Sequence, residues 1–448
     1  MRISLRGGLR WLYPGMRIKR WGLLVLCSTA LLVMVLLVVL GKDKIHLLYE
    51  LVPKESVPRE TIIALVFILG IAGFTLGISR LVRSIARGVA PGSEEKTTDL
   101  IFRTRILERG PRVVALGGGT GLSTLLRGLK ETTSNITAVV TMTDDGGSSG
   151  RLRAELDVLP PGDVRNCILA LAEDEARMER LFQHRFRGAG ELDGHSVGNL
   201  LLVGLEQATG GFDRAIEEMS HILNVRGRVL PATLTRTQLV ARMEDGEWVE
   251  GETRVAHDPR RIRQIRLSAL AVPPHPEVLE AIERAELLLL GPGSLYTSLI
   301  PNLLVEGISQ ALERATCEKM YVANLMTEHG ETDGFTLRHH LEVLNEYVPL
   351  RSFSSVLINT TPPVERLLRS YREERAEPVK DDLKDGNEYG LEAIREDLLG
   401  TIELEGKLTV KHDPHKLARA IVRHSRAFSR RMITPSPRQA DEAAPPAD

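Results

Sequence analysis

Gly117-Gly118-Gly119-Thr120-Gly121 follows the apolar run Val113–Leu116 and leads into a helix-compatible segment, Leu122–Leu129. Four glycines and a threonine at a strand-to-helix turn leave bare backbone N–H groups at a helix N-terminus, which is a place for a phosphate. A branched side chain at Gly119 would fill the space through which those groups approach it. The next apolar run, Ile136–Met142, stops at Asp144 and Asp145 and opens a Gly/Ser loop, Gly146-Gly147-Ser148-Ser149-Gly150-Arg151. If the two strands are parallel neighbours, cradle and acids share one crevice. The acid pair admits three chemistries: a ribose hydroxyl bound as in dinucleotide folds, Mg²⁺ held against phosphate oxygens, or a cap on the following turn. Gly147, Ser148, Ser149 and Arg151, with Arg165 and Asn166 further on, supply N–H, hydroxyl and guanidinium donors that suit an anion.

Three more segments carry polar groups at element ends. Ser196, in His195-Ser196-Val197-Gly198-Asn199, is placed to cap a helix beginning near Leu200, while Gly198 and Asn199 could meet a phosphate or ribose. His195 reads as a hydrogen-bonded loop residue. Gly291-Pro292-Gly293-Ser294 follows the strand-like Leu287–Leu290 and is either a second phosphate or sugar contact or a plain turn. Asn324, Thr327 and Asn359 follow later strands and are placed on the same rim, and Tyr371 either stacks on a base or sugar or fills the core.

Some chemistries are disfavoured. No Gly-Lys-Ser/Thr follows the glycine loop, which argues against a P-loop ATPase, and Leu122 stands where a dinucleotide fingerprint has its third glycine, which disfavours a dinucleotide-dependent oxidoreductase. Neither G-x-S-x-G nor H-E-x-x-H occurs, and no Ser/His/Asp set is forced by the sequence. With 58 basic and 59 acidic residues, no bulk basic field favours nucleic acid. Three scattered cysteines, Cys27, Cys167 and Cys317, form neither a disulfide framework nor a zinc site, which fits a reducing cytoplasm.

The elements that must position these residues read as an α/β fold. Val113–Leu116, Ile136–Met142, Ala285–Leu290, Lys319–Leu325 and Phe353–Ile358 are continuous apolar runs, the pattern of parallel strands covered on both faces. Helices are expected over Asp163–Ala172, Glu179–Phe186, Val197–Ala208, Phe212–Leu223 and Pro276–Arg284. A Rossmann-like, mostly parallel sheet with helices on both faces follows, and the short alternating segments of 228–268, with an Asp245-Gly246 turn, predict a small antiparallel insertion. This domain is expected over 111–430, after a linker at 91–110 and before a disordered Pro/Ala-rich tail at 431–448.

Residues 1–90 read as a membrane anchor. Trp21–Leu40 is an uncharged apolar stretch that as a helix rises about 30 Å, the thickness of a bilayer's hydrocarbon. Thr61–Ile78 is a second. A signal peptide, the competing reading, has a shorter apolar region and no second span. Arg2, Arg6, Arg10, Arg17, Lys19 and Arg20 precede the first stretch without an acid, and Arg80, Arg83 and Arg87 follow the second. By the positive-inside rule both termini and the main domain face the cytoplasm. Gly70, Gly73 and Gly77 share one face of the second helix and admit close packing against the first, but glycine's frequency in membrane helices is sufficient to account for them.

The glycine loop, the Thr143–Arg151 loop, Leu159–Asn166, His195–Leu200 and Leu290–Ser298, in that order, resemble the YvcK-type gluconeogenesis-factor family, related to the CofD-like 2-phospho-L-lactate transferases. The resemblance covers roughly 112–428. It implies a membrane-anchored protein that binds a UDP-sugar such as UDP-N-acetylglucosamine and regulates peptidoglycan synthesis and cell shape during gluconeogenic growth. Turnover is not what it favours. A bacterial inner membrane, a sugar nucleotide, cell-wall enzymes, a Ser/Thr kinase and a second copy of the chain are the candidate partners. The alternative is a CofD-type, nucleotide-dependent phospholactate transfer using Mg²⁺ at Asp144 or Asp145. The transferases complete their metal site with a further Pro-Asp-x-Asp element that this chain lacks.

Overall fold

The computed structural model describes residues 19–40, 59–89, 106–188, 190–404 and 407–433. Most of the expected linker and nearly all of the expected tail lie outside these residues. The chain divides into two units, Met1–Thr104 and Arg105–Asp448.

In the first unit, α1 (Lys19–Leu40) and α2 (Arg59–Val89) are long helices. The second runs past the expected Ile78 through Arg80, Arg83 and Arg87. Each contains a stretch long and apolar enough to cross a membrane, Arg20–Leu37 and Ile63–Val82. The glycines do more here than their frequency explains. A Cβ on Gly73 would stand 2.5 Å from Ser28 Oγ, and one on Gly77 or Gly70 would stand 2.7 Å from Val25 Cγ2 or Leu32 Cδ2. The stripe is therefore where α2 lies against α1, the close approach that small residues permit.

The second unit contains β1 (Val113–Gly117), β2 (Ile136–Val140), β3 (Arg228–Pro231), β4 (Leu239–Met243), β5 (Trp248–Glu250) and β6 (Ile262–Leu267). It continues with β7 (Leu287–Leu290), β8 (Glu318–Val322), β9 (Ser355–Asn359), β10 (Glu392–Glu396), β11 (Leu399–Leu404) and β12 (Lys407–His412). Seven of these form one parallel sheet in the order β10-β9-β8-β7-β1-β2-β3. Two apolar layers sandwich it. Val114, Leu116, Leu288 and Leu290 bury into one, and Val113, Ala115, Leu287 and Leu289 into the other, so successive side chains on each strand leave opposite faces. That double burial is why these strands read as unbroken apolar runs.

Two expectations need correcting. Arg228–Pro231 was expected within the insertion but pairs with β2 in the parallel sheet, so the antiparallel part is the three-stranded β5-β4-β6 that follows. The Gly/Ser segment after the acids is not a loop: Gly147–Leu156 is helical, as α4. The other helices that carry the site are α3 (Gly119–Leu129) and α5 (Gly162–Leu171).

Candidate functional site

From β1 the chain proceeds to β2 and β3 on one side, then returns to β7 on the other. The loops after β1 and β7 therefore diverge at the topological switch point, where an open α/β sheet forms its crevice. A cavity of about 290 Å³ lies there, lined by Gly118, Gly119, Thr120 and Gly121 from the first loop and Gly293 and Ser294 from the second. Asn324, Thr327 and Glu328 after β8, Tyr371, and Lys411 and His412 of β12 complete its wall. The two loops pack backbone to backbone. A Cβ on Gly121 would stand 2.5 Å from Pro292 O and 3.1 Å from Gly293 Cα, so only glycine allows this approach. Asn302 Nδ2 donates to Gly117 O at 3.0 Å and fixes the end of β1 from the same side.

Helix α3 begins inside the glycine loop, with Gly118 at its N-cap and no side chain capping it. Gly119, at φ +59°, donates its N–H to Asp163 Oδ2 at 2.6 Å. A Cβ on Gly119 would meet nothing nearer than 3.8 Å, so the space beside it is less confined than the sequence suggested. First-turn N–H groups have no partner within their own helix, and Thr120 and Gly121, which carry two of them, line the cavity.

The acid pair and the donors expected with it stand apart from this cavity. Asp144 Oδ1 accepts from Gly146 N at 2.9 Å, a local turn cap. Asp145 Oδ1 turns to the insertion and accepts from Thr253 N and Thr253 Oγ1 at 2.8 and 2.6 Å. The two carboxylates thus serve different partners. Burial lifts the Asp144 and Asp163 carboxyls, the latter to about 7, and Glu252 well above the ordinary range. Among the described residues no three of His, Cys, Asp or Glu form a metal-binding group.

A buried network accounts for most of the other expected donors. Ser148 Oγ lies 2.9 Å from His195 Nδ1 and accepts from Asn199 Nδ2 at 3.0 Å. Arg165 donates to Ser196 Oγ at 2.5 Å, Asn199 Oδ1 at 2.6 Å and Asn166 Oδ1 at 2.9 Å. Ser196 also caps its helix by accepting from Asn199 N. Ser149 is buried against Asp144, Gly147 opens α4 at φ +49°, and Arg151 donates to Asp193 O. Gly198 packs under Arg165, and Gly291, at φ +83°, lies behind the second loop against Leu299. Of the expected contact residues, Gly118 to Gly121, Gly293, Ser294 and Asn324 share the cavity, while Gly117 ends the strand behind it. Asn359 is engaged by Thr361 and Leu398 and lines a neighbouring hollow instead.

No local sequence pattern marked β12. Lys411 has no ion pair among the described residues, and burial brings its amine down to about 8, Arg127 adding to the effect. His412 is fully enclosed, and burial holds its ring neutral, down to about 4. Glu328 is lifted by burial against a hydrogen bond from Ser294. Tyr371 lines the cavity and its hydroxyl accepts from Val410 N at 2.9 Å, which seats β12 at the rim.

Comparison with known proteins agrees with this architecture. A family model described as 2-phospho-L-lactate transferase CofD matches residues 113–399. A putative gluconeogenesis factor of Nostoc sp. is 41% identical over 422 residues, covering 92% of each chain. The gluconeogenesis factor of Bacillus subtilis is 44% identical over 312 residues, which are 70% of this chain and 97% of that protein. A crystal structure of a Bacillus halodurans protein superposes with a TM-score of 0.66 at 45% identity, covering 70% of this chain and 99% of that one.

Proposed function

This chain belongs to the gluconeogenesis-factor family, within the wider CofD family, and on that premise we propose that its crevice binds a sugar nucleotide resembling UDP-N-acetylglucosamine as a regulatory ligand. One observation carries the reading: residues of the first helical turn, Ser294, a Lys411 amine with no ion pair among the described residues, and Tyr371 share one cavity whose lining does not include Asp144 or Asp145. Donors and a cation suit a pyrophosphate, and an aromatic ring suits a base or sugar. The regulated process is cell-wall synthesis and cell shape under gluconeogenic growth, with α1 and α2 holding the protein at the inner face of a bacterial membrane.

Mg²⁺-dependent transfer of the CofD type is the second reading, favoured by the family match over 113–399. The residues fit it poorly. A pair of acids holding one ion would converge, and here Asp144 serves Gly146 while Asp145 serves Thr253. Calorimetric titration of the full chain in detergent separates the two. UDP-N-acetylglucosamine is expected to bind equally with and without chelator, and the Asp144→Asn/Asp145→Asn variant should keep its affinity within about threefold. A loss in the double variant that chelation reproduces in the parent, or binding of GDP alone, would promote the transferase.

A further inference from the structure

A second cavity, of about 270 Å³, shares no wall residue with the crevice. It lies where β6 and the loop before it face the helix Leu337–Tyr347. Tyr296, Phe335 and Tyr347 line it, the first two rings edge to face at 6.5 Å and 67°. Glu331 is 8% exposed; its carboxyl takes hydrogen bonds from Thr297 Oγ1 at 3.2 Å and from the Tyr296 backbone, and Oε2 is buried with no hydrogen bond of its own among the described residues. Arg261 and Arg263 are exposed at the rim, and neither forms an ion pair among the described residues. Their neighbour Arg260 is committed to Asp245, Glu247 and Asp258. The remaining charges on the wall are Asp333, paired with His329, and Glu346.

We infer that this cavity is a second small-molecule site, for a sugar monophosphate, whose occupancy is felt in the crevice. Two exposed guanidinium groups at one mouth suit a phosphate. A hydroxylated ring meets the rest of the wall: its C–H faces lie on the aromatic side chains, and its hydroxyls reach the Glu346 carboxylate. Burial, reinforced by Glu328, lifts the Glu331 carboxyl well above the ordinary carboxylate range, which favours its neutral form and weakens its repulsion of the anion.

Coupling to the crevice comes from one short turn. Glu328 N donates to Thr332 Oγ1 at 2.9 Å, Thr332 N donates back to Glu328 O at 2.8 Å, and Gly330 N donates to Asp333 Oδ2 at 2.8 Å. Glu328 lines the crevice, whereas Gly330, Glu331 and Asp333 line the second cavity. A ligand that settles one side of so braced a turn biases the other. This coupling rests on the sugar-nucleotide reading of the crevice; the site itself does not.

Isothermal titration of the full chain with glucose 6-phosphate, glucose and inorganic phosphate tests the site. Glucose 6-phosphate should bind at least about tenfold more tightly than either fragment, and Arg261→Ala/Arg263→Ala should weaken it about tenfold with unchanged melting, both arginines being exposed. Glu331→Gln, which keeps the neutral shape, should bind nearly as the parent does. The crevice variant Lys411→Met should bind glucose 6-phosphate normally. No heat with glucose 6-phosphate, equal binding of inorganic phosphate, or loss in Lys411→Met with retention in the arginine variant would each overturn the proposal. Reciprocity demands that glucose 6-phosphate change UDP-N-acetylglucosamine affinity by the factor with which the nucleotide changes its own. If the nucleotide does not bind at all, the crevice reading fails while the glucose 6-phosphate titration still decides the second site.

Discussion

On the sugar-nucleotide reading, Lys411 is the cation that meets the phosphate, and its protonation gives that role a signature. Burial lowers its amine to about 8, so it is charged at neutral pH and neutral a little above. A phosphate is attracted to the charged form only. Sugar-nucleotide affinity should therefore hold steady below about pH 7 and fall as the pH rises through 8, a bound anion moving the fall somewhat higher. Lys411→Arg should abolish the fall, because a guanidinium does not titrate there, and Lys411→Met should bind about tenfold more weakly than the parent below about pH 7, the gap closing as the parent's lysine loses its proton. Titrations between pH 6.5 and 9.5 check this (on the order of one assay per half unit). A flat profile in the parent would remove Lys411 from the phosphate's contacts. Nothing in the sequence pointed to this lysine: it stands in Leu408-Thr409-Val410-Lys411-His412, far along the chain from the glycine loop, and only the fold brings the two together.

At the scale of elements, the crevice is two loops pressed together at the sheet's switch point. The nearest neighbours of a Cβ on Gly121 are Pro292 backbone atoms at 2.5 and 2.8 Å, and backbone cannot yield as a flexible side chain can. Gly121→Ala should part the loops, lowering nucleotide affinity more than about tenfold while the sheet still folds. Gly119→Ala, with open space beside it, faces only the strain of φ +59°, about 1 kcal/mol, and should be much milder. Melting curves beside calorimetry check the ranking, and a Gly119→Ala variant worse than Gly121→Ala would contradict the packing account. The central strands were legible because both their faces are buried. β10 was not: it is an edge strand, and in Glu392-Ala393-Ile394-Arg395-Glu396 only Ile394 is fully buried. Helix α4 was hidden for another reason. Gly147-Ser148-Ser149-Gly150 has poor helix propensity, and tertiary burial of Ser148, Ser149 and Leu152 prevails over it. The glycine motifs were legible as phosphate-competent turns, but which loops share a cavity depended on the crossover from β3 to β7, which no local pattern encodes.

For the whole molecule, the question is what the two-helix unit adds to the α/β unit. The Bacillus subtilis relative is matched over 97% of its length by 70% of this chain, so the greater part of the remaining 30% has no counterpart there. The Nostoc relative matches 92% of both chains and does share most of it. The α/β unit thus occurs without most of that remainder in one relative, and location is what the helices can add. Their apolar side chains face outward, Leu26 and Ile68 at 68% and 65% exposure, while the Gly70-Gly73-Gly77 stripe occupies the seam. Burying such side chains is worth roughly 1.5–3 kcal/mol each, so a pair with many of them turned outward fits hydrocarbon far better than water. Arg20 and Arg80 both stack on Trp21, at 5.2 and 5.3 Å, which puts two cations and an indole at one end of the pair, the arrangement of a membrane interface. If the pair spans a membrane, Arg20 and Arg80 mark its inner side and the positive-inside rule predicts a cytoplasmic main unit. A reporter active only outside the inner membrane should then be silent when fused after Arg87 and active when inserted between Asp43 and Glu55. The reverse pattern would overturn the orientation. Activity at neither position, with the chain recovered in the soluble fraction, would remove the helices from the membrane and leave a ligand-binding unit whose place in the cell must be set by its partners.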